Sequence, residues 1–408
     1  MSTLRHWLWI STRGPAPGMY AARILERFGT PEAAFFADEA DYREIPGLPQ
    51  SVRQALLDKS LDEADGILHN CDRLGIRVLT MQDTEYPERL RQLDTAPCVL
   101  YVKGRLPLVD EEAAVTIVGA RKASPYGVRA ASEFGLGLAR QGALVVSGSA
   151  VGVDSAAIKG ALRGGGKVIS VLGNGIDVIY PRENRELYDD VAAAGALVSE
   201  YPPGTEPAPD HFPVRNRLLA GLSLGVLVVE GAARSGALIT ARWALEQDRD
   251  VFAIPGPITS ALSVGPNRLI RQGEARLVTD VWDILEEYEL LFPAKLHPRA
   301  PLSDQAAQER LTGIEAKARP TRPAPPTPEP ADTRLILDRK ADPEALTDDE
   351  ADILRALQGD KSCTPDDLVE QTGLPARRVL SALTMLQVRQ LAQQAGGGRF
   401  STKVILKE

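Results

Sequence analysis

Two rhythms of apolar and polar residues share the chain. Short, mainly apolar runs recur at residues 76–79, 115–118, 144–146, 168–172, 226–229 and 251–254. Between them lie stretches with apolar residues three or four apart, the spacing of a helix face. A run that does not alternate predicts a strand buried on both faces. Strands alternating with helices predict a doubly wound parallel α/β sheet. The strands lead into loops of small residues: Gly119-Ala120-Arg121, residues 147–153, Gly173-Asn174-Gly175, residues 230–236 and Pro255-Gly256-Pro257. The C-terminal ends of parallel strands share one edge, so these loops are expected to line one crevice.

The flanks read differently. Residues 1–70 suit a small helical domain of helix-hairpin-helix or SAM-like kind. Ile45-Pro46-Gly47-Leu48-Pro49 reads as its hairpin, and residues 14–18 could form a second. Such turns can offer N–H groups to a DNA phosphate or serve helical packing, and few basic residues flank them. Residues 71–290 hold the extended α/β domain. Residues 291–345 change character: the Pro-rich stretch 320–330 predicts an extended, poorly ordered linker. Residues 346–408 predict three helices, starting at Thr347, Thr364 and Pro375, and a hairpin around residues 396–398. That is a winged-helix pattern. A DNA-reading version would present Arg377, Arg378, Arg389, Arg399 and Lys403, a modest charge that also suits protein contact.

Composition narrows the function. The 408 residues carry a net charge of −8, which argues against a general nucleic-acid coat but allows a local basic pocket. Three scattered cysteines, Cys71, Cys98 and Cys363, make no disulfide framework and fit a reducing, cytoplasmic setting. Four histidines far apart in sequence predict no zinc site. The longest apolar run, residues 218–229, is too short to span a bilayer, so no membrane association is expected. There is no P-loop, and Gly119-Ala120-Arg121 lacks the full dinucleotide fingerprint, so no cofactor is expected.

What remains is anion chemistry at the crevice. Loops of small residues let backbone N–H groups approach a phosphate, and a helix N-terminus adds partial positive charge. The loop holding Ser147, Gly148, Ser149 and Gly152 is expected to do this, with Asp154 as the N-cap of the next helix. Arg121, at the tip of the first core loop, favours anion binding. Arg215 and Arg217 suit phosphate through their guanidinium forks, or pair locally with Asp210 or Glu206. Asn216, Asn174, Ser235, Gly236 and Thr240 complete the expected lining. Lys167 precedes its strand and reaches the crevice less easily. Glu230 ends a strand and could orient a ligand or meet an arginine, and Asp177 and Glu200 lie near strand ends. Scarce histidines leave no Ser-His triad.

Several ordered segments over residues 80–288 resemble one family. They are Tyr86-Pro87…Leu93…Pro97, Val118-Gly119-Ala120-Arg121…Ser124…Tyr126-Gly127, the Ser147-to-Asp154 stretch, Gly173-Asn174-Gly175-Ile176-Asp177…Tyr180-Pro181…Asn184, Phe212-Pro213…Arg215-Asn216-Arg217…Ala220-Gly221-Leu222-Ser223 and Ser235-Gly236-Ala237-Leu238-Ile239-Thr240-Ala241. Together they look like DprA/Smf, the DNA-processing protein A family. The resemblance implies a Rossmann-like core that binds single-stranded DNA without cutting it. It also implies homodimerisation through that core, protection of strands taken up in natural transformation and help in loading the RecA recombinase. Two departures stand out: Ala120 where Ser is frequent, and Lys159-Gly160 where Ala-His often follows. The alternative is a nucleotide phosphoribohydrolase-like enzyme using the same crevice. Its P-G-G-x-G-T-x-x-E signature is matched at residues 230–240 without the glutamate.

Overall fold

The computed structural model describes residues 2–14, 18–296, 335–338, 346–358, 362–389, 391–395, 399–402 and 404–407. Among these, six helices precede the sheet: α1 (Ser2–Ser11), α2 (Ala21–Phe28), α3 (Pro31–Phe36), α4 (Glu39–Arg43), α5 (Gln50–Leu57) and α6 (Asp62–Leu74). The 45–49 hairpin joins α4 to α5. The middle of the second expected hairpin, residues 15–17, lies outside the described residues. In sequence α1 showed only an apolar patch. In the structure its Trp7, Leu8 and Trp9 are buried and join one core with Val115 and Phe134 of the α/β part. The helices up to residue 74 therefore share packing with the sheet, and nothing separates at residue 70.

The sheet has nine strands: β1 (Arg77–Thr80), β2 (Val99–Gly104), β3 (Ala114–Val118), β4 (Leu144–Ser147), β5 (Val168–Leu172), β6 (Ala196–Ser199), β7 (Gly225–Val228), β8 (Asp250–Ala253) and β9 (Arg276–Leu277). Their order is β1-β2-β6-β5-β4-β3-β7-β8-β9. Only β2, paired antiparallel to β1 and to β6, breaks the parallel run. Strand β6 showed in the pattern only as the end placed near Glu200, and β9 did not show at all. The first is four residues after an Ala-rich helix, and the second is two exposed residues at an edge.

Successive strand residues face opposite sides. Val115 and Ile117 of β3 join a cluster with α8 (Pro125–Arg140), α9 (Val153–Arg163) and α10 (Arg185–Ala194). Ala114 and Val118 join a second cluster with α11 (His211–Gly221), α12 (Gly236–Glu246) and α13 (Val264–Gln272). This is the expected doubly wound, Rossmann-like sheet. Helices α8 and α9 approach closely: a Cβ at Gly160 would lie 2.2 Å from the Ser132 carbonyl oxygen. Gly160 is thus a packing requirement. The chain runs from β3 through β4, β5 and β6 to one side, then crosses to β7 on the other. The switch point between β3 and β7 is where such folds open a crevice.

Residues 321–408 form a second compact unit. Its helices are α15 (Asp348–Ala356), α16 (Pro365–Thr372) and α17 (Ala376–Val388); a short helix, Trp282–Leu285, closes the first unit as α14, and Glu88–Arg91 is α7. Thr347 and Thr364 each build a capping box, as expected of threonine at an N-cap. A hairpin pairs residues 392–395 with 399–402. Residues 335–338, within the stretch read as linker, form a strand parallel to residues 404–407. The Pro-rich residues 320–330 and the 396–398 turn lie outside the described residues.

Candidate functional site

A cleft of about 630 Å³ opens at the switch point, lined by the loops after β3 and β7 and by the starts of α11 and α12. Helix α11 supplies its floor. Phe212, Arg215, Asn216 and Leu219 recur at helical spacing on one face and all line the cleft. Arg217, two residues after Arg215 and so turned to the other side, does not. Its guanidinium is buried and grips both Glu200 carboxylate oxygens at 2.7 and 2.6 Å, and it also donates to the Thr95 carbonyl. Burial alone would lower the Arg217 pKa, and the Glu200 carboxylate more than restores it. This corrects the expectation that Arg217 faces phosphate: it is a structural clamp, paired with neither Asp210 nor Glu206.

Lys167 is also elsewhere. It stands before β5, at the N-terminal edge of the parallel strands, and pairs with Glu112 at 3.2 Å. Parallel strands put their two ends on opposite edges of the sheet, so this side chain cannot join the crevice. The loop of residues 147–153, expected to offer N–H groups to a phosphate, is largely spent on the fold. The Ser147 hydroxyl donates to the Ile117 carbonyl at 2.7 Å, and the Ser149 and Ser170 hydroxyls bond each other at 2.5 Å, all three residues fully buried. Asn174 donates to the Gly175 and Val178 carbonyls. Gly148 and Asn174 reach only a hollow of about 40 Å³, too small for a nucleotide. Gly152 has φ +86°, and a Cβ there would lie 2.4 Å from the Ala120 carbonyl, so two loops are pressed together. Gly152 is itself the N-cap of α9. Asp154 sits inside the first turn rather than at the cap, where its carboxylate receives the Ala150 N–H at 3.4 Å.

Asp154 and Arg215 form the cleft's buried charge pair. Burial pushes the Asp154 carboxyl up to about 6, against the pull of Arg215, the Ala150 N–H and Arg121. Burial likewise lowers the Arg215 pKa, with Asp154 opposing. Arg215 donates to the carbonyls of Gly148, at 3.0 Å, and Val171, and to the Asn216 side-chain oxygen at 3.2 Å. Its charge reaches the cleft although most of its donors are engaged.

Arg121 is the opposite case. It is exposed at the cleft rim, makes no hydrogen bond or ion pair among the described residues, and lies over the Phe212 ring, 4.9 Å from its centre. Tyr180, 39% exposed, packs 5.6 Å from Phe212. A cation and two aromatic faces thus stand together. The pattern quoted Phe212 and Tyr180 but gave neither a binding role; the signal was the i, i+3, i+4 spacing of Phe212 with Arg215 and Asn216. Lys122 on the rim and Arg182, two residues past Tyr180, are further exposed cations.

The cleft's other end is built from Ser235, Gly236 and Thr240. The hydroxyls of Ser235 and Thr240 are buried without a hydrogen-bond partner, and both residues line the cleft. Asn216 holds the start of α12 by donating to the Gly236 carbonyl at 3.2 Å. Glu230 is not free to act. Its carboxylate accepts the Ser124 N–H at 2.9 Å and the Ser124 hydroxyl at 2.6 Å, tying β7 to the start of α8. Asp177 likewise accepts the Gly204 N–H at 2.8 Å. Among the described residues no group of three or more His, Cys, Asp or Glu could hold a metal, and no helix is long and apolar enough to cross a membrane.

In the tail, Arg378 pairs with Asp349 through two bonds of 2.8 and 2.5 Å, Arg389 pairs with Glu350 at 3.5 Å, and Arg399 donates to the Ser362 carbonyl. Arg377 is exposed, and Lys403 lies outside the described residues. The outer face of α17 instead shows Leu380, Met385 and Val388.

Comparison with known proteins adds a line of descent. Residues 77–289 match the family model for DNA recombination-mediator protein A, and residues 319–398 match that for the DprA winged helix domain. The DNA processing protein DprA of Streptococcus pneumoniae is 45% identical over 207 residues, covering 51% of this chain and 72% of the relative. Protein Smf of a Synechocystis strain is 32% identical over 419 residues and 98% of both chains. The X-ray structure of the Streptococcus pneumoniae protein aligns at a TM-score of 0.61 with 33% identity, over 69% of this chain and 97% of that one.

Proposed function

The chain belongs to the DprA/Smf family of DNA-processing proteins, and from that premise we propose that its switch-point cleft binds single-stranded DNA without cutting it. The observation that carries this is Arg121, an unpaired guanidinium on an aromatic platform at the rim of a nucleotide-sized cleft. A guanidinium suits a phosphate, and the exposed Tyr180 and half-buried Phe212 faces suit a base of any identity. Aromatics are only 5% of the chain, so stacking adds to the phosphate contacts without dominating them. Arg215, Asn216, Ser235, Gly236 and Thr240 line the path. The wider role is the one the family resemblance implies: a cytoplasmic homodimer, joined through the α/β core, that protects incoming strands in natural transformation and recombination and helps load the RecA recombinase.

Binding is favoured over nucleotide hydrolysis because residues 230–240 lack the glutamate of the phosphoribohydrolase signature, and Glu230, which opens that stretch, is held by Ser124. The test is a salt titration of oligothymidylate binding by fluorescence anisotropy. Arg121→Ala is expected to weaken binding and to flatten log affinity against log salt by roughly 0.7, one single-strand phosphate contact. The loss should be similar for different base sequences. An unchanged slope and affinity would remove the cleft as the DNA site.

A further inference from the structure

The two glycine-rich loops of the cleft differ in what they leave unspent. At α9 the first-turn donors are used: Val153 N–H bonds the Ala120 carbonyl at 3.2 Å, Ser155 N–H bonds the Ala150 carbonyl at 3.1 Å, and the Asp154 carboxylate fills the concavity. At α12 the first turn is open. Ser235 makes no capping bond, and a Cβ on Gly236 would meet nothing within 4 Å. Leu238 N–H turns back to the Ser235 carbonyl, and among the described residues the N–H groups of Gly236 and Ala237 have no backbone partner. The second observation is independent of the helix end. The Thr240 side chain is 1% exposed, lines the cleft, and its hydroxyl has no partner, and the Ser235 hydroxyl beside it is also unpartnered. A buried hydroxyl without a partner costs free energy, about 1–3 kcal/mol, that a ligand acceptor removes.

We propose that the α12 end of the cleft is a seat for one phosphomonoester, as carried by a nucleoside 5′-monophosphate or by the 5′-phosphorylated end of a strand. The inference rests on the reading of this cleft as the nucleic-acid site, and deepens it. Ser235 and Thr240 hydroxyls and the two free N–H groups supply donors, and Arg215 and Arg121 supply the charge. A single nucleotide is of a size with the volume of about 630 Å³. Asp154 lines the same cleft and accepts from the Ala150 N–H of the opposite loop.

The test uses the full chain with thymidine 5′-monophosphate and thymidine as probes, read by calorimetry and by displacement of a fluorescent oligothymidylate. The monophosphate should bind and displace the strand, and thymidine should not. Thr240→Val, which keeps shape and removes the hydroxyl, should weaken the monophosphate about tenfold, and Thr240→Ser should restore it. If Thr240→Val fails to fold, Ser235→Ala reads the same seat from the surface side. Adding a 5′-phosphate to the oligothymidylate separates the two sources. A gain in affinity assigns the seat to strand ends, and no gain with continued displacement by the monophosphate assigns it to free nucleotides. If Arg121→Ala loses the strand while the monophosphate never displaces it, the seat is wrong and the DNA reading stands. If neither ligand depends on the cleft, both fall.

Discussion

Two hollows lie at opposite ends of the parallel strands, and they make different use of their charges. The one beyond the N-terminal ends is the larger, about 880 Å³ against about 630 Å³. It is lined by Arg77, Arg105, Lys167 and Lys295. Yet Glu112 holds both lysines, at 3.2 and 3.0 Å, and Glu85 holds Arg77 at 2.9 Å, which leaves Arg105 as its one cation without an ion pair among the described residues, and no aromatic ring lines that hollow beside it. The smaller hollow keeps Arg121 unpaired, with two orphan hydroxyls and two aromatic faces. Volume and the number of cations favour the first; unspent donors favour the second. A phosphate is held by groups that have nothing else to hold, so the smaller cleft is the candidate site.

That comparison can be broken in three ways. The largest effect is expected at Arg217, the guanidinium assigned to the fold. Arg217→Ala leaves the Glu200 carboxylate buried without its partner and should lower stability by about 3–5 kcal/mol. Thermal unfolding measures it. A stable variant with weakened DNA binding would return Arg217 to the site.

The next contrast is between the two hollows. Arg121→Ala should cost strand affinity as described, whereas Lys167→Ala should leave it unchanged within error at moderate salt. Equal losses would mean that the strand also crosses the N-terminal edge.

The smallest effect is a pH dependence centred on Asp154. Its carboxyl titrates near 6 in the folded chain, above the ordinary 3.8. The carboxylate's burial cost is therefore present in full above that pH and is relieved as the pH falls toward 3.8. Protonation removes a negative charge facing Arg215 and Arg121, from the cleft that Tyr180 and Phe212 also line. Strand affinity should rise a few-fold between about pH 7.5 and about pH 5, and Asp154→Asn should abolish that dependence. Anisotropy at constant ionic strength reads it. A dependence that persists in the variant would place the titrating group elsewhere.

The tail repeats the lesson at another scale. Arg377, Arg378, Arg389 and Arg399 in a winged-helix pattern suggest a DNA reader. Three of them are turned to Asp349, Glu350 and the Ser362 carbonyl, and α17 faces outward with Leu380, Met385 and Val388. The count of basic residues was legible in the chain, and their partners were not.

What the sequence by itself determined is what depends on neighbours along the chain. Short apolar runs that end in loops of small residues and alternate with helical stretches read as strands covered on both faces, so the parallel sheet and the edge that gathers its loops were legible. So was Arg121, placed on that edge by the strand directly before it, and so were the tail's threonine caps. What only the tertiary structure decided is which polar groups are already used. Ser147 meets Ile117 across 30 residues, Lys167 meets Glu112 across 55, and Arg217 meets Glu200 across 17. Burial forces such groups to find partners, and in a doubly wound sheet the partner comes from another strand or crossover, at no fixed spacing. Arg215 and Arg217 look equivalent in the sequence, but helix α11 turns one toward the cleft and the other toward Glu200. Strand β9 was missed, and β6 showed only by its end near Glu200, for a related reason: both are short, and pairing with strands already present holds them in place.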